Sequence, residues 1–287
     1  MRVARFSPVG GGWPRLGVVR EEDGVVLDVT GAGLPADTVA VVSAGGGFDE
    51  VAKAANRRGV EAIPLADVRL LAPIARPPKF LAIGLNYADH VAESVTPKPE
   101  YQLWFNKQST CVVGPGDPIH VPKVSNLVDY EGELAMVIGR RCRHVSAADA
   151  PGVVAGFTVV NDVSVRDWQR RTPTMTMGKS FDTHGPMGPW IVTGDELGDP
   201  HGLRLRTWVS GDLRQDATTD LMLFNCWEMI EHLTAAFTLE PGDVISTGTP
   251  SGVGIARTPP ALLAPGDTVR IEIEGIGVLE NPVIAEP

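Results

Sequence analysis

"VDYEGELAMVIG", residues 128 to 139, holds two signals of opposite kind. Its second half is a continuous apolar run, the pattern of a strand buried on both faces. Its first half sets Glu131 and Glu133 two apart. In an extended chain side chains alternate faces with a rise of about 3.3 Å, so the two carboxylates root on one face roughly 6 to 7 Å apart. Glutamates are usually exposed, and a solvated strand face is the commoner account of a Glu-x-Glu pair. The adjoining apolar strand favours the other account, a cation between the two carboxylates, because acidic groups beside buried surface need compensation.

Similar short strand-like runs lie on either side: "KFLAIGL", "VAGFTVVNDV", "GPWIVTG", "LRLRTWVS", "DVISTGT" and "DTVRIEIEGIGVLENPV". One amphipathic helix stands among them, "LFNCWEMIEHLTAAF", with Leu223, Trp227, Ile230, Leu233 and Phe237 at three- and four-residue spacing. Residues 1 to 71 read as a small unit, a β-hairpin at "RLGVVREEDGVVLDV" followed by a helix at "FDEVAKAANRRG". The Pro-rich "LLAPIARPPKF" then stays extended, because each Pro disfavours helix at the residue before it. The division expected is a small N-terminal domain, 1–71, and a β-rich domain, 72–287. With 32 Gly and 24 Pro in 287 residues, well above the usual combined share of about 12%, the fold class expected is α+β, rich in strands.

The net charge of −10, with no basic block, removes the electrostatic ground for nucleic acid or an anionic membrane as partner. An anionic substrate would need a local cation. Cys111, Cys142 and Cys226 are widely spaced and form no C-x-x-C, so neither a disulfide framework nor a zinc site is expected, and a reducing cytoplasm fits. No apolar leader opens the chain and no apolar stretch reaches the roughly 18 residues of a membrane span.

Three further stretches carry candidate chemistry. "GFTVVNDVSVRDWQ" ends an apolar strand in Asp162, which reads either as the cap of a following helix or as a third carboxylate beside Glu131 and Glu133. Three carboxylates form a hard oxygen set suited to Mg²⁺ or Mn²⁺. In "GLNYADHVAES", a helical turn from Tyr87 to Glu93 would place His90 and Glu93 on one face, either as a surface pair or as an oriented general base. In "TMTMGKSFDTHGP", Lys179 follows Gly178, but Pro173 occupies the position where a phosphate loop requires glycine. "DVISTGTPSGVG" lacks a nucleophile elbow, so Ser251 is a poor nucleophile.

Taken in order, "GLNYADHVAES", "VDYEGELAMVIGR", "GFTVVNDVSVRDWQ", "GKSFDTHGPMGPWIVT" and "LEPGDVISTGTPSGVG" resemble the fumarylacetoacetate hydrolase family over about residues 72 to 287. The resemblance implies a mixed β-roll catalytic domain with a small N-terminal domain, and a homodimer. It implies Mg²⁺ or Mn²⁺ bound by Glu131, Glu133 and Asp162, with His90 and Glu93 handling the catalytic water or proton. It places Gln169, Lys179 and Thr249 against the oxo-acid end of the substrate, with Arg166 nearby.

The chemistry the resemblance implies starts from a 2-oxo acid that chelates the metal. The expected reaction is hydrolysis of an acylpyruvate: His90 activates water, the C–C bond breaks to a metal-stabilised pyruvate enolate, and Lys179 adds positive charge at the developing oxyanion. Decarboxylation of an oxaloacetate-like acid and isomerisation of an unsaturated 2-hydroxy diacid are the alternatives on the same site. A metal-stabilised binding protein without catalysis is the alternative from another class.

Overall fold

The computed structural model describes residues 1–45, 47–94 and 97–287. The apolar run becomes the strand Gly132–Ile138, buried along its whole length. It pairs antiparallel with Val154–Asn161 on one side and with Val244–Ser246 on the other. Alternate side chains enter two different cores. Leu134, Met136 and Ile138 pack with Leu205, Ile271 and Leu279, whereas Ala135 and Val137 pack with Val3, Leu16 and Val51. Two apolar faces explain why the run shows no polar alternation.

Outward from this centre, Val244–Ser246 runs parallel to Phe80–Gly84, which pairs with Leu103–Lys107 at one end of the sheet. In the other direction Val154–Asn161 pairs with Gly185–Val192, and that strand pairs with the first strand, Arg2–Pro8. Arg15–Arg20, Val25–Asp28 and Ala62–Pro64 continue the sheet, and Val68–Leu71 returns to pair with Arg2–Pro8. The N-terminal residues therefore extend the same 12-stranded sheet that carries the central strand. A second, 5-stranded sheet contains Arg204–Val209, Asp212–Thr218, Thr268–Ile273, Gly277–Ala285 and Ile119–Val121. It lies against the first at Gly132, where a Cβ would come 2.3 Å from Thr207 Oγ1. Parallel and antiparallel pairs are mixed and neither sheet closes into a barrel among the described residues, so the fold is a β-rich α+β one.

The amphipathic helix spans Cys226–Ala236, shorter at both ends than its apolar pattern. Asn225 starts it, accepting from the backbone of Trp227 and Glu228 while the Glu228 side chain returns to Asn225 N. This capping box leaves Leu223 outside the helix. Phe237 sits at the other cap and is exposed. The helix expected in the first region spans Asp49–Ala55, and a second one, Thr38–Ser43, precedes it. Among the described residues no helix is long and apolar enough to cross a membrane.

Candidate active site

Strand register brings the three carboxylates together. Gly132 lies opposite Asn161 and Glu133 opposite Val160, so Glu131 and Asp162 meet where the two strands end. Asp162 N donates to Glu131 O at 2.9 Å, and Glu131 N donates to Asn161 Oδ1 at 3.0 Å. One oxygen from each of Glu131, Glu133 and Asp162 lies within 4.8 Å of the others, and all three residues are buried. Asp162 caps no helix. The short helix Arg166–Gln169 has Val165 at its N-cap, with no side-chain cap bond.

Three buried cations compensate most of this charge. Lys179 Nζ bridges Glu131 Oε2 and Asp162 Oδ2, each at 2.7 Å. Lys107 Nζ reaches Asp162 Oδ1 at 2.6 Å. Arg166 donates to Glu131 Oε1 at 2.6 Å and to Asp129 Oδ2 at 2.9 Å. Burial opposes ionisation of Glu131, but Lys179 and Arg166 overcome it and hold the carboxyl below its ordinary range. Burial likewise opposes the charge on Lys179, yet Asp162 and Glu131 leave its ammonium raised.

Glu133 is different. Its Oε2 accepts from Ser246 Oγ and Gly248 N, and among the described residues no lysine or arginine pairs with it. Burial, then Asp162 and Glu131, push its carboxyl well above the ordinary range. Four buried carboxylates, counting Asp129, thus face the three cations Lys107, Arg166 and Lys179. The cluster is short of positive charge at Glu133. Oxygen donors alone, without His or Cys, suit Mg²⁺ or Mn²⁺ better than zinc, and the donor set fits such an ion.

The cluster opens into a cavity of about 600 Å³ lined by His90, Glu93, Glu131, Glu133, Arg166, Gln169, Lys179 and Thr249; Asp162 lies behind this lining. His90 and Glu93 stand on the helix Ala88–Glu93, with His90 Nδ1 3.3 Å from Glu93 Oε2. The helix is pinned to the loop after Thr249. Ser251 Oγ donates to Asp89 Oδ2 at 2.7 Å, and Gly252 N donates to Glu93 Oε1 at 2.9 Å. Thr249 donates its hydroxyl to Gly132 O at 2.9 Å and accepts from Gln215 Nε2 at 2.8 Å. Its hydroxyl proton is therefore held inside the protein. Gln169 Oε1 accepts from Arg166 at 3.0 Å. Gly178 lets the turn carrying Lys179 press against the Gln169 backbone, where a Cβ would come 2.1 Å from Gln169 N.

Sequence reading missed Lys107 and Asp129. Lys107 ends the strand Leu103–Lys107, two residues after the buried Phe105 and on the same face. A lysine in phase with a buried aromatic was the available signal.

The chain matches the model of the fumarylacetoacetate (FAA) hydrolase C-terminal domain over residues 79–284. It is 40% identical over 288 aligned positions to a mitochondrial oxaloacetate tautomerase of Xenopus laevis, covering 99% of this chain and 90% of that one. Among solved structures it is similar to 5-carboxymethyl-2-hydroxymuconate delta-isomerase from Mycobacterium smegmatis, with TM-score 0.80, 39% identity and 100% of both chains covered. It is also similar to maleylpyruvate hydrolase from Sphingobium sp. SYK-6, in complex with manganese(II) and pyruvate, with TM-score 0.83, 33% identity and 100% of both chains covered.

Proposed function

The chain belongs to the fumarylacetoacetate hydrolase family, and on that premise we propose that it moves a proton at C3 of a 2-oxo acid held over a divalent ion, interconverting keto and enol forms of an oxaloacetate-type acid. The observation that carries this reading is the buried carboxylate set, with Glu133 lacking a cation, in one cavity with a His–Glu pair. The full-length likeness to an oxaloacetate tautomerase favours proton transfer over the hydrolysis expected from sequence.

A divalent ion held by Glu131, Glu133 and Asp162 would polarise the 2-oxo group and acidify the adjacent C–H. With Nδ1–H directed at Glu93, neutral His90 keeps the Nε2 lone pair for the C3 proton, and Glu93 stabilises the imidazolium that forms. Lys179, on the cavity wall, supplies fixed positive charge near the oxygen on which negative charge develops. Lys107 holds the Asp162 carboxylate in position through its 2.6 Å ion pair.

A second reading, hydrolysis of an acylpyruvate, is supported by the same His90–Glu93 pair, which suits water activation, and by the likeness to maleylpyruvate hydrolase. Following the enol absorbance of oxaloacetate, and the products from acetylpyruvate and fumarylpyruvate, with and without Mg²⁺ or Mn²⁺ separates the two. Metal-dependent loss of the enol band without cleavage supports tautomerisation. Release of pyruvate plus a carboxylic acid supports hydrolysis. Inertness toward all three acids with either metal sinks both.

A further inference from the structure

Among the described residues lining the cavity, three carry permanent positive charge: Arg166, Arg170 and Lys179. Arg166 and Lys179 are committed to Asp129, Glu131 and Asp162. The exposed guanidinium of Arg170 has no hydrogen bond or ion pair among the described residues. Its backbone is nonetheless fixed. Arg170 follows the last residue of the helix Arg166–Gln169, and its N–H donates to Arg166 O at 3.3 Å. An unpaired cation is thus held at the rim of a cavity whose floor is acidic.

Charge and wall chemistry together assign this cation a ligand. The buried cluster carries one carboxylate more than its cations, so a divalent ion leaves it with a single positive charge, which the carboxylate of a 2-oxo acid neutralises. A second carboxylate on the same substrate would find no uncommitted cation on the floor, the lining side chains Gln169 and Thr172 being uncharged. Leu85, Leu103, Phe105, Val253 and Ile255 line the walls and offer a carboxylate no side-chain donor. The net charge of −10 makes the wider field unfavourable to a dianion.

We propose that Arg170 is the specificity-determining residue of this cavity: it pairs with the distal carboxylate of a 2-oxo dicarboxylic acid whose oxo-acid end lies over the acidic cluster. The proposal rests on the function proposed above, whose oxaloacetate-type substrate is already a dianion, and names the residue that selects it over a monoanion of equal length.

Calorimetry on the Mn²⁺-loaded protein tests it with two matched pairs, 2-oxoglutarate against 2-oxovalerate and oxaloacetate against 2-oxobutyrate. Each pair differs in the distal carboxylate. The wild type should favour the dianion of at least one pair by about tenfold or more, the scale of a charge-assisted hydrogen bond. Arg170→Gln should abolish that ratio and Arg170→Lys should restore part of it. A ratio near one in both pairs for the wild type, or one unchanged in Arg170→Gln, overturns the assignment. Such results with Mn²⁺-dependent binding of the acids intact would sink Arg170 alone. Failure of every acid to bind the Mn²⁺-loaded protein would sink the underlying reading as well.

Discussion

Glu133 separates a metal site from an internal salt-bridge cluster, because it is the carboxylate in the set that no lysine or arginine among the described residues pairs with. Glu133→Gln keeps the acceptor for Ser246 and Gly248 while removing the charge. The variant should fold, and its Mn²⁺ affinity should fall about 100-fold or more, beyond the loss typical of second-layer changes; unchanged affinity by calorimetry would remove Glu133 from the ligand set. His90 is the residue proposed to act on the proton. His90→Ala should lower oxaloacetate tautomerisation by on the order of 10² to 10⁴, with Mn²⁺ binding retained. Decarboxylation of oxaloacetate needs the cluster but no base, so that rate should fall far less; an equal fractional loss in both would make His90 a residue that orders the site. These residues were legible because each belongs to a short-range pattern: Glu131 and Glu133 by strand alternation, His90 and Glu93 by helical spacing. Lys107 and Asp129 were not, because their partners Asp162 and Arg166 are 55 and 37 positions away. Pairing of Val128–Asp129 with Ser164–Val165 closes the second distance, whereas Lys107 meets Asp162 although their strands are not neighbours in the sheet.

The strands that position the carboxylates tolerate little added volume. Gly156 lies in Val154–Asn161, the strand that delivers Asp162, and a Cβ there would meet Val192 O at 2.4 Å. That oxygen belongs to the backbone of the neighbouring strand Gly185–Val192, so relief requires the sheet itself to move. Gly156→Ala should therefore destabilise the protein by about 1–3 kcal/mol, the usual scale of overpacking. A denaturant midpoint shifted down at unchanged slope would confirm it, and an unshifted midpoint would mean the strands part freely. At this scale the central strand was readable from composition, since a strand with two apolar faces needs no polar alternation. The ends of the Cys226–Ala236 helix were not readable from apolar spacing alone. Leu223 is in phase with the helix yet precedes its cap, and the Asn225-to-Glu228 box, a local signal in the sequence, fixes the start.

The two sheets are joined near the strand Gly185–Val192 by a clasp on one residue of the 5-stranded sheet. His120, in Ile119–Val121, donates its N–H to Thr183 Oγ1 at 2.9 Å, and its carbonyl lies 2.7 Å from His184 Nε2. A carbonyl can only accept, so Nε2 carries a proton, and burial is what keeps the ring from taking a second one at Nδ1. Burial lowers its pKa from 6.5 to about 3, against the opposing effect of the bond to His120. Between those two values the unfolded chain binds a proton that the native protein does not, so the stability present above pH 6.5 is lost as pH falls toward 3. The slope is at most about 1.4 kcal/mol per pH unit for one group. Glu131, held below its ordinary range, adds a loss in the same direction only below the ordinary carboxyl value of 4.5, whereas the raised Glu133 works oppositely above it. His184→Gln isolates the histidine, since an amide N–H can still reach the His120 carbonyl but does not titrate. Urea unfolding at pH 6 and pH 5 should show the wild type losing about 1 kcal/mol more than the variant over that unit. Parallel losses would mean that His184 takes up its proton inside the folded protein, and that the seam between the sheets accommodates a charge despite its burial.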